Sequence, residues 1–288
     1  MNAGAASTEA EVAAAVAVAR DHGLRVDEPV VVRDLTNLLV HLRPAPVVAR
    51  VARLFAAERG AASVEVQVAL SRHAAALGAP VAAPAEELPA GPHEREGLLI
   101  TFWRWYDHDD ERDVSPGEVG RSLRDVHEAL ATYGGELTGY TRGDELRALI
   151  DRLDAAGEDV AALRRGLDEV LSTALPGQPV HGDAHPGNVL RTSAGPRWTD
   201  FEAACVAPRE YDLAGLLWMD ISRPERPPVA PDVIAGYGAH DPEVLELMLP
   251  AYGLFNATWT VELVRRLPSA RGLEVREHRV GWWRRRYE

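Results

Sequence analysis

The chain is 288 residues long, enough for one large domain or two packed ones, and its 46% hydrophobic and 26% charged content is ordinary for a globular protein. Its net charge of −13 argues against a nucleic-acid or anionic-membrane partner and suits a cationic ligand. All 31 basic residues are arginine, which excludes a P-loop NTPase and a pyridoxal-phosphate enzyme, since each needs a lysine.

Residues 8–22 interleave Ala and Val with Glu and Arg, the pattern of a short helix ending near Gly23. The runs 30–34, 37–42 and 46–54 are β-branched or apolar and separated by turn residues, which predicts three successive antiparallel strands. Residues 61–77 have helical spacing, with Val66, Leu70, Ala74 and Leu77 on one face. Pro80, Pro84 and Pro89 mark a loop, and 97–102 reads as a short buried strand. From there the pattern becomes helical. Residues 116–130 open with proline in the first turn and carry Val119, Leu123, Val126 and Leu130 as an apolar stripe; 160–175 repeats the pattern. Two strand-like pieces, 189–191 and 197–201, flank a Gly-Pro turn, and helices are expected over most of 208–220, 231–266 and 273–287. The predicted class is α+β. A small β-rich domain occupies residues 1–103 and a larger, mostly helical one 104–288, with the boundary near the charged loop at 107–113.

A single cysteine, Cys205, permits no internal disulfide and no cysteine-based zinc site. The Ala-rich N-terminus has no basic leader and is interrupted by Glu9 and Glu11. No apolar run approaches the roughly 18 residues of a membrane span. These features predict a soluble, cytoplasmic protein.

The chemistry concentrates in residues 180–213, VHGDAHPGNVLRTSAGPRWTDFEAACVAPREYDL. Asp183 stands five residues before Asn188, and Asp200 follows twelve residues later, after a predicted strand. Phosphoryl transfer from a magnesium nucleotide needs such a set. One carboxylate orients the attacking hydroxyl and accepts its proton, while an amide oxygen and a second carboxylate hold the metal across the phosphates.

The run H-G-D-x-H-P-x-N followed by D-F-E resembles the aminoglycoside phosphotransferase family, related to the protein kinases. The resemblance implies a bilobal protein-kinase-like fold and transfer of a phosphoryl group to a hydroxyl of a small molecule, with an aminoglycoside-like antibiotic as one candidate acceptor. It implies ATP, with GTP as the alternative, and Mg2+ as cofactors. Asp183 would be the catalytic base, Asn188 and Asp200 the magnesium ligands, and His181 a buttress of the catalytic loop. Asp212, in Asp-Leu-Ala, resembles a family aspartate that caps that loop from below. In APVVARVARL the resemblance gives Arg50 the position that grips the α- and β-phosphates, where protein kinases have lysine. Its expected partner is Glu65 on the next helix. Residues 100–103 become the hinge, with Thr101, Phe102 and Trp103 meeting the adenine through backbone groups.

The segment DLTNLLVHL departs from the protein kinases: it has no glycine, and Thr36 and Asn37 occupy the turn. Amino alcohols, sugars, homoserine and macrolides are alternative acceptors, and a nucleotide-binding pseudokinase is an alternative function. A metallo-phosphoesterase would need further His and Asn clusters that the sequence lacks. The acceptor pocket is expected from the C-terminal helices. A cationic acceptor would need carboxylates there, with Glu202, Glu210, Asp220, Glu243, Glu246 and Glu262 as candidates. Trp218, Trp259, Trp282 and Trp283 could line it or cap an ammonium, although tryptophans more often pack a core. His127 reads as a packed core histidine.

Overall fold

The structure, a computed structural model, describes residues 3–109 and 114–288; of the loop expected at 107–113, residues 110–113 lie outside the described residues. In chain order the elements are α1 (Ala3–Asp21), β1 (Val26–Asp34), β2 (Asn37–Pro44), β3 (Val47–Ala52), α2 (Leu54–Ala76), β4 (His93–Arg95), β5 (Leu98–Arg104), α3 (Pro116–Leu130), α4 (Gly143–Ala155) and α5 (Ala161–Ser172). Then come β6 (Gln178–Val180), β7 (Val189–Thr192), β8 (Gly195–Trp198), β9 (Cys205–Ala207), α6 (Glu210–Ile221), α7 (Ala230–Tyr237), α8 (Pro242–Arg266) and α9 (Ala270–Arg286). The chain divides into two compact units, residues 1–114 with 189–202, and residues 115–188 with 203–288. A division at 103/104 would instead leave the β7–β8 hairpin with the helices.

The first unit is built on an antiparallel sheet of order β1-β2-β3-β5-β4. Strand alternation sends Leu38, Val40, Leu42, Val47, Ala49, Val51, Ile100 and Phe102 to a buried face, where Ala14, Ala15, Val18 and Ala19 of α1 join them. Each Val, Leu, Ile or Phe side chain among them contributes about 1.5–3 kcal/mol on burial. The registers Leu39↔Arg50, His41↔Val48, Arg50↔Thr101 and Val48↔Trp103 gather these six residues on the opposite face. Gly60, with φ at 75°, breaks α2, and the helical turn that follows it is the one legible in the sequence. Its buried residues are Val64, Gln67, Val68, Leu70, Ser71 and Ala74, so Leu70 and Ala74 of the predicted stripe turn inward, whereas Leu77 is exposed and Val66 only half-buried. The stripe predicted through Val66 and Leu77 is therefore rotated, because Gln67 and Ser71 turn inward and make hydrogen bonds there. The β7–β8 hairpin joins this unit through Trp198, which is fully buried. Its N–H donates to the Pro80 carbonyl and its carbonyl accepts from Ala82 N–H, both at 2.8 Å.

In the second unit Ser115 and Glu118 form a reciprocal cap at the start of α3, with Pro116 in the first turn. The helix expected at 231–266 is two helices. Gly238, at φ 92°, ends α7, and Asp241 restarts the chain as the cap of α8, accepting from the Glu243 and Val244 N–H groups. Glycines let helices approach: a Cβ on Gly120 would fall 1.9 Å from the Val233 carbonyl oxygen, and one on Gly236 2.4 Å from Gly117 Cα. No described helix is long and apolar enough to cross a membrane.

Two outcomes follow for this unit. Gly120→Ala should lower the unfolding free energy in urea by about 1–3 kcal/mol or more, the scale of overpacking; unchanged stability would mean that α3 and α7 separate freely. Burial pushes the Cys205 thiol up to about 12, so at pH 8 roughly one molecule in ten thousand carries the thiolate. An aromatic disulfide reagent should therefore label the native protein very slowly and the urea-unfolded protein fast, and rapid native labelling would contradict this burial.

Candidate active site

In the second unit the loop after β6 is held from inside the fold. Asp212, fully buried near the start of α6, accepts the His181 N–H at Oδ2 (2.9 Å) and the Gly182 N–H at Oδ1 (2.8 Å). His127 lies 2.8 Å from Oδ2 through Nε2; with that nitrogen donating, Nδ1 is left to accept the Tyr237 hydroxyl at 2.9 Å. The histidine is thus buried, as its helix position predicts, and also joins the polar network of the loop. Gly182 has φ at 83°, and a Cβ there would sit 1.8 Å from the Ala203 carbonyl oxygen, so both conformation and space require glycine.

Asp183 comes next, its side chain one-third exposed. The Tyr252 hydroxyl, from α8, donates to Oδ1 at 2.7 Å, and His185 Nε2 lies 3.6 Å from Oδ2. Burial acts to raise the pKa of this carboxyl, but His185, the Tyr252 hydrogen bond and His181 outweigh it and hold the group well below the usual carboxylate range. Burial, reinforced by the charge of Asp183, pushes the Tyr252 hydroxyl far above the tyrosine range, so it remains a donor. Asn188 is buried; its Nδ2 donates to the Asp183 carbonyl at 3.0 Å and its N–H to the His185 carbonyl at 2.9 Å. That bond fixes the amide so that its oxygen faces away from the carbonyl.

In the first unit Arg50 is buried on the sheet face described above. Its guanidinium donates to Gln67 Oε1 at 2.6 Å and lies 3.2 Å from Asp200 Oδ1 and 3.3 Å from Glu202 Oε1. Burial, with Asp200 adding to it and Arg50 opposing, raises the Glu202 carboxyl. Asp200 takes a left-handed backbone conformation, φ 66°, which aspartate tolerates better than most residues. Glu65, the expected partner of Arg50, is exposed instead; Gln67 takes that place because the helix is rotated as described.

The three hinge candidates separate. Thr101 and Trp103 share the face of Arg50, the Trp103 Nε1–H donating to Thr101 Oγ1 at 2.8 Å. Phe102 points into the core, its N–H donates to the Ala90 carbonyl and its carbonyl accepts from Ala85 N–H, so the adenine contact expected of it is corrected. Asn37 is buried and accepts the Arg53 N–H, while Thr36 is half-buried in the turn.

The carboxylates considered for a cationic acceptor are occupied or face solvent. Glu202 meets Arg50, Glu210 accepts the Asp241 N–H, Asp220 accepts from Val229 and Ala230, and Glu262 pairs with Arg265 and Arg266. Glu243 and Glu246 are exposed. Trp218 and Trp283 are core residues; Trp259 and Trp282 are half-buried. Tyr252, Gln67 and the buried Arg279 of α9 belong to the polar structure of these regions, and no sequence motif announces them.

A family model described as the phosphotransferase enzyme family matches residues 13–247. Among solved structures, the amicoumacin kinase hAmiN in complex with AMP-PNP, Ca2+ and Ami is 13% identical, with a TM-score of 0.71 and 96% of each chain covered. A choline/ethanolamine kinase family protein from Mesorhizobium loti is 16% identical at a TM-score of 0.64, covering 96% of this chain and 93% of that one. A thermostable mutant of the aminoglycoside phosphotransferase APH(4)-Ia is 15% identical at 0.66, covering 93% and 97%. No curated protein matches in sequence. At these identities the likeness to solved structures establishes the fold, which is protein-kinase-like α+β.

Asp212→Asn tests the anchor of the loop. One amide oxygen cannot replace two carboxylate oxygens, so urea unfolding should show a loss of about 2–3 kcal/mol. Wild-type stability would mean that other contacts hold His181 and Gly182.

Proposed function

Because the chain belongs to the phosphotransferase enzyme family, we propose that it transfers the γ-phosphoryl group of ATP to a hydroxyl of a small molecule. The observation that carries this reading is Asp183: an ionised, partly exposed carboxylate on a loop whose preceding amides are pinned by a buried aspartate. The acceptor hydroxyl would donate a hydrogen bond to Asp183. Its oxygen then forms a bond to the γ-phosphorus while the bond from that phosphorus to the β–γ bridging oxygen breaks. The hydroxyl proton passes to the Asp183 carboxylate and ADP leaves. A carboxyl with so low a pKa is a weak base, which suits a loose transition state where orienting the nucleophile matters more than removing its proton early.

Asn188 and Asp200 are the proposed magnesium ligands. Both offer hard oxygen donors; the Asn188 amide is oriented by its bond to Asp183, and the Asp200 side chain keeps 35% exposure with only Oδ1 near Arg50. No cluster of three or more His, Cys, Asp or Glu suited to a metal occurs among the described residues, so phosphate and water oxygens would complete the shell. Bound magnesium would neutralise charge on the phosphates.

Arg50 is the proposed phosphate grip, held by Gln67. Half-buried Leu39, Val48 and Trp103 share its sheet face, and an apolar surface beside a cation supports a base with attached phosphates. An enzyme drawing on ATP would work in the cytoplasm. Proteins of this fold include named kinases of amicoumacin and of aminoglycosides, so an antibiotic remains one acceptor class to test.

The test is coupled ADP release with Mg-ATP and Mg-GTP across aminoglycosides, macrolides, amino alcohols, sugars and hydroxy acids. Asp183→Asn should cut acceptor-stimulated turnover by about 10²–10⁴ while nucleotide affinity, measured by calorimetry, stays within a few-fold. Wild-type turnover in this variant would overturn the role of Asp183.

A further inference from the structure

Resting on that kinase reading, we propose that the hydroxyl acceptor carries an anionic group, carboxylate or phosphate, which Arg279 and Arg223 receive beside Asp183. Arg279, on α9, is 7% exposed. Its Nη1 donates to Thr260 Oγ1 at 2.6 Å and its Nη2 meets the Met219 sulfur at 3.4 Å, while its buried Nε has no partner. Both neighbours are neutral. Arg223 stands one turn beyond Met219, half-buried, and its buried Nε also lacks a partner. Neither arginine has a carboxylate within ion-pair distance among the described residues, although this chain holds 44 acidic residues and pairs many of its other arginines.

These cations stand in the neighbourhood of the reacting groups. Burial draws the Arg279 pKa down to about 10, still far above neutrality, with Arg223 adding to the fall and Asp183 opposing it. Tyr252 bridges the two regions: its hydroxyl donates to Asp183, and on α8 it lies two helical turns before Thr260, the residue that receives Arg279. The carboxylate whose charge acts on Arg279 is Asp183, itself shared with His185. Arg223 sits among like charges, Arg226 and Arg271, and the carboxylate that opposes them, Glu225, is already paired with Arg271. A guanidinium removed from water and bonded only to a hydroxyl and a thioether is stabilised by an incoming anion, and its planar donors match carboxylate or phosphate oxygens. A polycationic acceptor would meet repulsion here, and of the carboxylates considered for it Glu202, Glu210, Asp220 and Glu262 are engaged with arginines or backbone amides.

The experiment compares matched acceptors that differ by one anion: 4-hydroxybutyrate against 1,4-butanediol, and glucose 6-phosphate against glucose, with kanamycin and choline as cationic arms. The anion-bearing member should show a kcat/KM at least tenfold above its neutral twin, and the two pairs distinguish carboxylate from phosphate. Arg279→Gln should raise the KM for that acceptor tenfold or more with the KM for ATP unmoved, and Arg279→Lys should restore part of it. If Arg279→Gln does not fold, Arg223→Gln carries the same expectation from a more exposed position. Independently of turnover, malonate and inorganic phosphate should raise the melting temperature of the wild-type protein with Mg-AMP-PNP bound, and less so in the Gln variants. Preferred turnover of the cationic or neutral compounds, or equal anion stabilisation of wild type and variants, overturns the proposal. Failure of the kinase reading itself would look different: no binding of Mg-AMP-PNP, or full turnover in Asp183→Asn.

Discussion

A buried carboxylate that accepts two consecutive backbone amides is the constraint on which the loop after β6 depends. Asp212 can be buried away from solvent because the groups bonded to it are donors: the amides of His181 and Gly182 and the ring of His127. Such a network fixes direction as well as position. With both amides aimed at Asp212, Gly182 has to take a positive φ and pass within contact of Ala203, and the chain leaves it with Asp183 displayed outward. The Asp183 side chain is then tuned by what stands around it. Tyr252 arrives from a helix some seventy residues downstream and His185 from the same loop, and together they keep the carboxylate charged against the pull of burial.

The first unit solves a related problem with the opposite sign. Arg50 is a permanent cation on a strand, and pleating alone decides that it shares a face with Thr101 and Trp103 while Ala49 and Phe102 fill the core. Its charge is balanced by Asp200 and Glu202 from the segment after β8, and its orientation is fixed by Gln67. A neutral amide in that place has a physical consequence. A glutamate would add a third carboxylate around one guanidinium, whereas Gln67 accepts a hydrogen bond without adding charge.

What could be read from the sequence follows from how locally each feature is encoded. His181, Asp183, Asn188 and Asp212 fall within some thirty residues, so the resemblance that the segment carries to a known family could be read from the sequence alone. Helix α3 was legible from Ser115, Pro116 and its apolar stripe. The phase of α2 was not, because Gln67 and Ser71 are polar residues that face inward, and a stripe drawn through apolar residues alone passes through Val66 and Leu77 instead. The break between α7 and α8 was marked by Gly238, Asp241 and Pro242, yet the apolar pattern on either side hid it. Phe102 failed as a hinge residue for a topological reason: both edges of β5 are hydrogen-bonded, one to β3 and the other to the 83–90 segment and β4. Tyr252 and Arg279 had no motif at all, since their roles exist only once α6, α8 and α9 have packed.

The distribution of charge gives these pieces a common reading. A chain with a net charge of −13 repels anions at long range, and that repulsion is spread over a surface screened by salt within about 10 Å. Recognition is decided at closer range, where Arg50 in one unit and Arg279 in the other are buried away from that screening. One is already matched by acidic side chains and the other is not. The difference separates a cation that the fold neutralises by itself from one whose charge is left for a ligand to meet. An arginine that served only to pack α9 would gain nothing from lacking a carboxylate in so acidic a chain, and the Thr260 that receives it lies on the same helix as Tyr252, whose hydroxyl donates to Asp183.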